Sequence, residues 1–217
     1  MDACGCDRGF EIFDSRTAEE DLTRYRRHGP DRTTRMLLDM LRERGVRGAS
    51  ILDIGGGIGV IEHELLRDGA GHAVLVDASP PSLAAARSEA RRHGHLDRVE
   101  FVDGDFTARA GTIAVADIVT LDRVICCYPD VSALVRLSAE RARAAYGLVL
   151  PRDRRLFRVG VRLLNLWFRI RGLGYRSFAH SNERVDALLA EAGLRPRAEA
   201  STLFWRVVLY ERGTAAG

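Results

Sequence analysis

A glycine-rich stretch, "LDIGGGIGV" at residues 52–60, follows an apolar run and offers the clearest chemistry in the chain. Gly55, Gly57 and Gly59 sit between a predicted strand and a predicted helix, so backbone amides can approach a ligand without side-chain clashes. Asp77, 18 residues after Gly59, ends the next predicted strand. Its carboxylate can accept hydrogen bonds from both hydroxyls of a ribose. The turn and the acid together predict a nucleotide-like ligand.

Two other functions remain open at this point. A dinucleotide fingerprint of the form G-x-G-x-x-G would need glycine at position 60, where this chain has Val60. That difference argues against a nicotinamide-dependent oxidoreductase, although the same kind of sheet could host one. A cofactor-binding or regulatory subunit without catalysis is the second alternative.

The elements that position these residues follow from hydrophobic periodicity. Residues 17–44 read as two helices broken at "HGP", because a Gly-Pro pair interrupts helical hydrogen bonding. Short apolar runs then alternate with helical patterns, which indicates βαβ units on a parallel sheet. The expected helices cover 58–67, 81–93, 131–144 and 182–192, and two closely spaced runs at the end predict an antiparallel hairpin. The fold class is therefore α/β, a Rossmann-like doubly wound sheet, mostly parallel, with an antiparallel C-terminal edge hairpin.

Length and composition favour one domain, since 217 residues with 46% hydrophobic content can bury a sizeable core. We divide residues 1–217 into a helical N-terminal cover (1–48), a cofactor-binding core (49–150), an inserted helical lid (151–180) and a C-terminal helix and hairpin (181–217). The net charge of +3 gives no reason to expect a nucleic-acid partner. The sequence leaves a homodimer open.

Cysteine usage points to a reducing compartment. Cys4 and Cys6 form one close pair and Cys126 and Cys127 another, unlike the spread spacing of a secreted disulfide framework. A zinc site made by both pairs is the alternative, but buried thiols are the preferred interpretation and we expect no metal. No run reaches the ~18 apolar residues of a membrane span, so a soluble, cytoplasmic protein is expected.

The motifs resemble those of class I S-adenosylmethionine-dependent methyltransferases over residues 50–211. "LDIGGGIG" is similar to the first motif of that family, which implies that Asp53 and the glycines bracket the methionine part and ribose of S-adenosylmethionine. "LVDAS", with Asp77 and Ala78, resembles the second motif. "VDGDF" implies that Asp105 accepts a hydrogen bond from the adenine amino group and that Phe106 lies beside the ring.

The acceptor side is less defined. "ADIVTLDRVICCYPD" resembles the fourth strand and the loop that faces methyl transfer in that family. The resemblance implies that Asp122, Tyr128 and His180 surround a small-molecule acceptor, with Asp122 also near the cofactor, and that oxygen is the methylated atom. Tyr25 is expected over the cofactor from the helical cover. Each has a plainer interpretation: His180 leads into a helix, Asp122 pairs with Arg123, and Tyr25 belongs to the core.

A narrower similarity links the chain to magnesium-protoporphyrin O-methyltransferases. The shared features are a Tyr-Pro after the fourth strand and a His-Ser before the late helix. They make tetrapyrrole biosynthesis one option beside specialised metabolism.

Residues 152–178 hold eight arginines against one acid, a local charge of +7, whereas the rest of the chain sums to −4. At ~100° per residue, one stripe contains Arg155, Arg158, Arg162 and Arg169. A broad apolar face collects Leu156, Val159, Leu163, Leu166, Trp167 and Ile170, and we expect this face to be buried. Three interpretations are open: an ordinary surface helix, a lid over an acidic hydrophobic acceptor, or a helix on an anionic membrane. The lid is favoured over the membrane.

Overall fold

The computed structural model describes residues 15–153, 155–171 and 176–213. Seven strands form one sheet in the described part of the chain, in the order β3-β2-β1-β4-β5-β7-β6. Their bounds are Ser50–Ile54 (β1), His72–Asp77 (β2), Val99–Asp103 (β3), Ala116–Asp122 (β4), Ala142–Pro151 (β5), Leu194–Ser201 (β6) and Trp205–Arg212 (β7). Strands β1 to β5 pair in parallel, and β7 is antiparallel to both β5 and β6. The predicted fold class is confirmed.

Helices cover both faces of this sheet. They are Ser15–His28 (α1), Arg32–Arg44 (α2), Val60–Arg67 (α3), Pro80–Arg92 (α4), Phe106–Arg109 (α5), Val131–Arg141 (α6), Arg155–Ile170 (α7) and Asn182–Glu191 (α8). β1 is buried along its whole length, which is typical of a strand packed on both faces. One core cluster contains Leu52 and Ile54, and the other contains Ile51. Alternate residues of β1 therefore build two separate hydrophobic layers.

The break predicted at "HGP" is confirmed. Gly29 adopts a φ of 72°, which a residue with a side chain rarely takes, and α2 begins after Pro30. The Asp31 side chain caps α2 by accepting hydrogen bonds from the amides of Thr33 (3.2 Å) and Thr34 (3.1 Å). This cap fixes the start of α2 at the carboxyl edge of the sheet.

Strand order reverses between β1 and β4, because the chain builds β2 and β3 on one side and β4 and β5 on the other. A crevice opens outside the carboxyl ends of the strands at such a reversal, and ligands of open α/β sheets gather there. The register places Asp77 of β2 beside Asp103 of β3, and Asp122 ends β4 opposite Val149. The acids named from the sequence thus lie along one edge of the sheet.

Two expectations about the later elements are wrong. The helix expected over 131–144 ends at Arg141, because Ala142 pairs with Ala116 and begins β5. The apolar face of α7 is not buried where its side chains are described: Leu163, Leu166, Trp167 and Ile170 are exposed.

Several earlier expectations fall outside the described residues. The side chains of Leu156, Val159, Arg155, Arg158 and Arg162 belong to this group, as do Cys4 and Cys6. Within the described ranges, no helix combines the length and the apolar character that crossing a membrane requires.

Candidate active site

The glycine turn after β1 has the backbone conformation that its sequence predicts. Gly55, Gly57 and Gly59 take φ values of 63°, 60° and 82°, all in the left-handed region that favours glycine. The amide of Gly55 donates to the carbonyl of Val76 (2.7 Å), which holds the turn against β2. A β-carbon built on Gly57 meets no protein atom within 4 Å, and Gly57 lines the main cavity. The turn therefore leaves open space beside its centre.

Gly56 is a residue that the sequence analysis missed. A β-carbon there would collide with the side chains of Leu75 and Asp53, and its φ is not positive. Gly56 is therefore required by packing and not by backbone conformation. Its position inside a run of glycines was the only available signal, because the colliding neighbours are defined by the sheet.

Asp77 holds the turn from the end of β2. Its Oδ2 accepts from the amide of Gly57 (2.8 Å) and its Oδ1 from the amide of Ser79 (2.8 Å). Burial raises the pKa of the Asp77 carboxyl, although these two amides favour its ionised form. A carboxylate fixed in this way retains acceptor capacity for the hydroxyls of a ribose.

Asp105 and Tyr128 form a second polar group at the same edge. Asp105 caps α5 by accepting from the amide of Thr107 (3.0 Å), and its Oδ1 also accepts from the hydroxyl of Tyr128 (2.6 Å). Phe106 is buried directly after the cap. Burial, followed by the bond to Asp105, raises the pKa of Tyr128. The tyrosine is therefore better suited to orient Asp105 than to remove a proton.

Asp53 lies beneath the turn beside a second buried acid, Glu62 of α3. The hydroxyl of Thr120 donates to Asp53 Oδ1 (2.7 Å), while Asp53 Oδ2 and both carboxyl oxygens of Glu62 have no partner within the described residues. Burial raises the pKa of Asp53 to about 7, and it also raises the pKa of Glu62, with the Asp53 charge adding to the effect. An orphaned acceptor of this kind suits the ammonium group of an amino acid.

The helical cover contributes Tyr25. This residue lines the main cavity from α1, is itself buried, and its hydroxyl donates to Glu64 Oε1 (2.9 Å). It packs in a small cluster with Leu22 and Ile58. Tyr25 thus joins the cover to the helix that follows the glycine turn.

Asp122 lies in a network that ties β4 to α2. The hydroxyl of Thr34 donates to Asp122 Oδ2, and Arg123 Nε donates to Asp122 Oδ1 (3.0 Å). Arg123 also pairs with Asp31, the cap of α2. Burial raises the pKa of Asp122, although Arg123 and Thr34 oppose that rise. The network was not predicted from sequence beyond the Asp122–Arg123 pair, because Asp31 and Arg123 are 92 positions apart.

Arg123 has an unusual backbone. Its φ of 62° is the one positive value at a non-glycine residue among the described residues. Burial disfavours the charge of Arg123, but Asp122 and Asp31 outweigh that effect and raise its pKa. Uncommon conformations of this kind cluster at functional sites because the surrounding contacts must hold them.

His180 lies outside the lining of the cavity. Its Nε2 is 2.8 Å from the carbonyl oxygen of Tyr128, and its ring stacks on Phe178. Burial lowers the pKa of His180, so the neutral ring is favoured. The next residue, Ser181, caps α8 as the plainer interpretation expected. His180 therefore holds the loop that carries Tyr128.

The cysteines after β4, Cys126 and Cys127, form no disulfide within the described residues. Cys126 is buried and donates to the carbonyl of Arg123 (3.2 Å), while Cys127 lines the cavity. The hydrogen bond with Cys127, followed by burial, raises the pKa of the Cys126 thiol.

One cavity of about 1080 Å³ brings most of these residues together. Of the residues predicted to bind or react, the cavity is lined by Tyr25, Asp53, Gly55, Gly57, Asp77, Ala78, Asp105, Phe106, Asp122 and Tyr128. Gly59 and His180 are not part of the lining. These residues would suit S-adenosylmethionine: Asp53 could accept from its ammonium group, Asp77 from its ribose and Asp105 from its adenine, with Gly57 leaving open space beside them.

Comparisons with known proteins agree with this geometry. The methyltransferase-domain family matches residues 51–145. A ribosomal protein L11 methyltransferase from Dechloromonas aromatica is 31% identical over 133 residues, covering 57% of this chain and 45% of the relative. The chain thus spans about half the length of the curated relatives it matches.

Solved structures share the fold at low sequence identity. Magnesium protoporphyrin IX methyltransferase from Synechocystis PCC 6803 with bound SAH superposes with a TM-score of 0.70 at 19% identity, covering 94% of this chain and 99% of that one. An O-methyltransferase family protein from Burkholderia thailandensis gives a TM-score of 0.69 at 20% identity, covering 96% of this chain and 64% of that one. Taken together, these findings show that residues 51–145 match the methyltransferase-domain family and that the chain has the fold of known methyltransferases.

Proposed function

We propose that this protein transfers a methyl group from S-adenosylmethionine to an oxygen atom of a small-molecule acceptor. The observation that carries the proposal is the extent of the cavity beyond the cofactor residues. Its lining also includes Arg32, Arg35 and Arg176. At about 1080 Å³ it lies at the upper end of ordinary ligand pockets, which supports room for an acceptor beside the cofactor.

The cover and the inserted segment both serve this site in our proposal. Tyr25 of α1, Arg32 and Arg35 of α2, and Arg176 and Phe178 of the inserted segment all line the cavity. A concave site lined by these elements favours a small molecule over a folded protein surface. This arrangement supports one domain built around a single site.

S-adenosylmethionine, when bound, supplies a methyl group on a sulfonium, which an acceptor oxygen can attack in line. The protein then needs to align that oxygen and, for a hydroxyl, to accept its proton. Asp122 is the proposed base, because its carboxylate lines the cavity and burial raises its pKa towards the range where proton transfer is useful. Thr34 and Arg123 hold the carboxylate in place.

The lining residues outside the expected cofactor site suit an acceptor that is acidic and partly hydrophobic. Arg32 and Arg176 are exposed cations on the lining, which favours carboxylates, while Val124, Leu134 and Phe178 provide apolar surface. Tetrapyrroles and aromatic specialised metabolites both have this character. Asp122 would act on a hydroxyl acceptor, whereas a carboxylate acceptor would need no base.

The test uses S-adenosylmethionine labelled on the methyl group. The protein is incubated separately with a protein-free metabolite extract and with purified ribosomal proteins, and the label is followed in each fraction. Label in the small-molecule fraction supports the proposal, and its release by mild alkali distinguishes a methyl ester from an ether. Asp77→Ala is the control that should lose transfer in both.

A protein acceptor is the alternative, since the curated relatives are named for ribosomal protein L11. Label found on protein alone would favour it and contradict our proposal. Cofactor binding without transfer to either fraction would favour the non-catalytic subunit. The nicotinamide-dependent alternative has lost its support, because the matching family is a methyltransferase family.

A further inference from the structure

Exposed apolar side chains are concentrated in two elements of the described structure. Of the large hydrophobic residues that are exposed there, all but Val115 belong to α7 or to the turn between β6 and β7. They are Leu163, Leu164, Leu166, Trp167 and Ile170 of α7, and Leu203 and Phe204 of the turn. A patch of this kind on a folded surface marks an interaction site more often than scattered single residues do.

The apolar side of α7 points away from the protein. At ~100° per residue, Leu163, Leu166, Trp167 and Ile170 share an arc of about 100°, which we call the α7 face. On the opposite side, Val161 is buried. The Asn165 side chain, also on that side, donates to the carbonyl of Ser177 (2.7 Å) and accepts from its amide (2.8 Å). The side of α7 with Val161 and Asn165 therefore packs against the protein, and the α7 face is directed to solvent.

The turn between β6 and β7 carries the other exposed apolar side chains. The Arg152 amide donates to the carbonyl of Phe204 (2.8 Å), and the Arg152 guanidinium donates to the carbonyl of Thr202 (3.0 Å). The turn is therefore fixed to the segment that leads into α7. Leu203 and Phe204 remain 65% and 61% exposed despite these backbone bonds.

The charge around the α7 face is positive. Residues 152–178 contain eight arginines and one acid. Arg169 and Arg171 are exposed near the end of α7, and the Arg171 guanidinium lies 5.1 Å from the centre of the Trp167 ring. An apolar stripe with tryptophan, flanked by arginines, is typical of helices that lie in the interface of an anionic bilayer.

We propose that the α7 face and the turn at 202–204 dock on the surface of a bilayer that contains anionic phospholipids. The helix lies along the surface, with its apolar side chains among the acyl chains and its arginines at the phosphate groups. The positive charge favours an anionic bilayer over a second copy of the chain as the binding partner. A two-fold symmetric dimer through this surface would bring two strongly basic segments together. The inference does not depend on which acceptor is methylated.

Vesicle flotation tests the proposal with the full chain. Vesicles of phosphatidylcholine alone are compared with vesicles that also contain phosphatidylglycerol, at low and at high salt. We expect flotation with the anionic vesicles only, weaker at high salt because the charge term is screened. The double variant Leu166→Glu/Trp167→Glu should lower partitioning by at least about tenfold, because charged groups replace the inserted side chains.

Matched controls separate the effect from folding and from total charge. Val115→Glu changes an exposed apolar residue elsewhere and should leave flotation unchanged. Arg169→Glu/Arg171→Glu should reduce partitioning by at least about tenfold, whereas Arg47→Glu/Arg91→Glu, with the same net charge, should reduce it far less. The substituted α7 positions are exposed, so thermal unfolding should be unaltered.

Three results would overturn the proposal. The first is absence of flotation with anionic vesicles, and the second is flotation that both α7 variants retain. The third is a dimer, measured by light scattering, that Leu166→Glu/Trp167→Glu dissociates in a chain that does not float. That last result would assign the surface to a second copy.

Discussion

The hydroxyl of Tyr128 donates a 2.6 Å hydrogen bond to the carboxylate of Asp105. This contact joins the loop after β4, on the acceptor side, to the cap of α5, on the side proposed for adenine. Tyr128 was predicted as a catalytic residue, yet its bond and its raised pKa support a positioning role in cofactor binding. The contact therefore links the two halves of the site.

The Tyr128→Phe variant tests this role. Removal of the hydroxyl should weaken S-adenosylmethionine binding by less than the ~1.5–3 kcal/mol of a direct hydrogen bond to a charged group, because Thr107 still holds Asp105. The turnover number at saturating cofactor should change little. Isothermal titration calorimetry measures the affinity and steady-state kinetics measure the turnover. A fall in turnover with unchanged affinity would instead support a catalytic role for Tyr128.

Asp77→Ala should weaken cofactor binding by about 1.5–3 kcal/mol, because we expect the side chain to bind the ribose and it also holds the Gly57 amide. Asp103→Ala is the matched control. Asp103 pairs with Asp77 across β2 and β3 but is exposed, so its removal should leave affinity nearly unchanged. Equal losses in both variants, measured by titration calorimetry, would contradict the ribose assignment.

Two adjacent glycines of the turn should respond differently to substitution, Gly56 through packing and Gly57 through cofactor binding. Gly56→Ala places a β-carbon against Leu75 and Asp53, and overpacking of this kind costs about 1–3 kcal/mol of unfolding free energy. A β-carbon at Gly57 meets no protein atom within 4 Å. Gly57→Val strains the left-handed backbone and fills space beside the cavity, so the variant should fold and fail to bind cofactor. Denaturant unfolding and calorimetry on both variants check the contrast. Near-normal affinity in Gly57→Val would leave the turn a purely structural feature.

His180 is proposed to position the acceptor loop through the carbonyl of Tyr128. His180→Ala should lower turnover and leave cofactor affinity nearly unchanged. His180→Gln, whose amide can still donate to that carbonyl, should recover much of the lost activity. If the histidine instead removed a proton itself, glutamine would not restore turnover and the acidic limb of the pH profile would disappear in both variants.

The sequence predicted those features that short segments define. The glycine turn, the acids at the strand ends and the break before α2 follow from local patterns, and the structure has them where they were expected. The Asp31–Arg123 pair and the Asp53–Glu62 pair depend on elements that meet only in the folded chain. Periodicity identified an amphipathic α7, but it does not determine which side a helix turns to its neighbours, and the contacts of Asn165 with Ser177 decide that instead.

Cofactor affinity should depend on pH through Asp53. Burial raises the pKa of Asp53 to about 7, although the hydrogen bonds from Thr120 and with Glu62 oppose that rise. We expect the ammonium group of S-adenosylmethionine to bind the ionised carboxylate. Below that pKa, binding must first displace the proton, so affinity should fall by at most about tenfold per pH unit.

Calorimetry between about pH 5.5 and pH 7.5 measures this dependence, in buffers of different ionisation enthalpy that report proton release. S-adenosylhomocysteine carries the same ammonium group and should show the same trend, whereas adenosine lacks that group and should not. Asp53→Asn cannot ionise and should flatten the profile at low affinity. Glu62 and Asp77 remain intact in that variant, and burial raises the pKa of both. A slope that persists in Asp53→Asn would therefore assign the titration to one of these two acids and contradict recognition of the ammonium group by ionised Asp53.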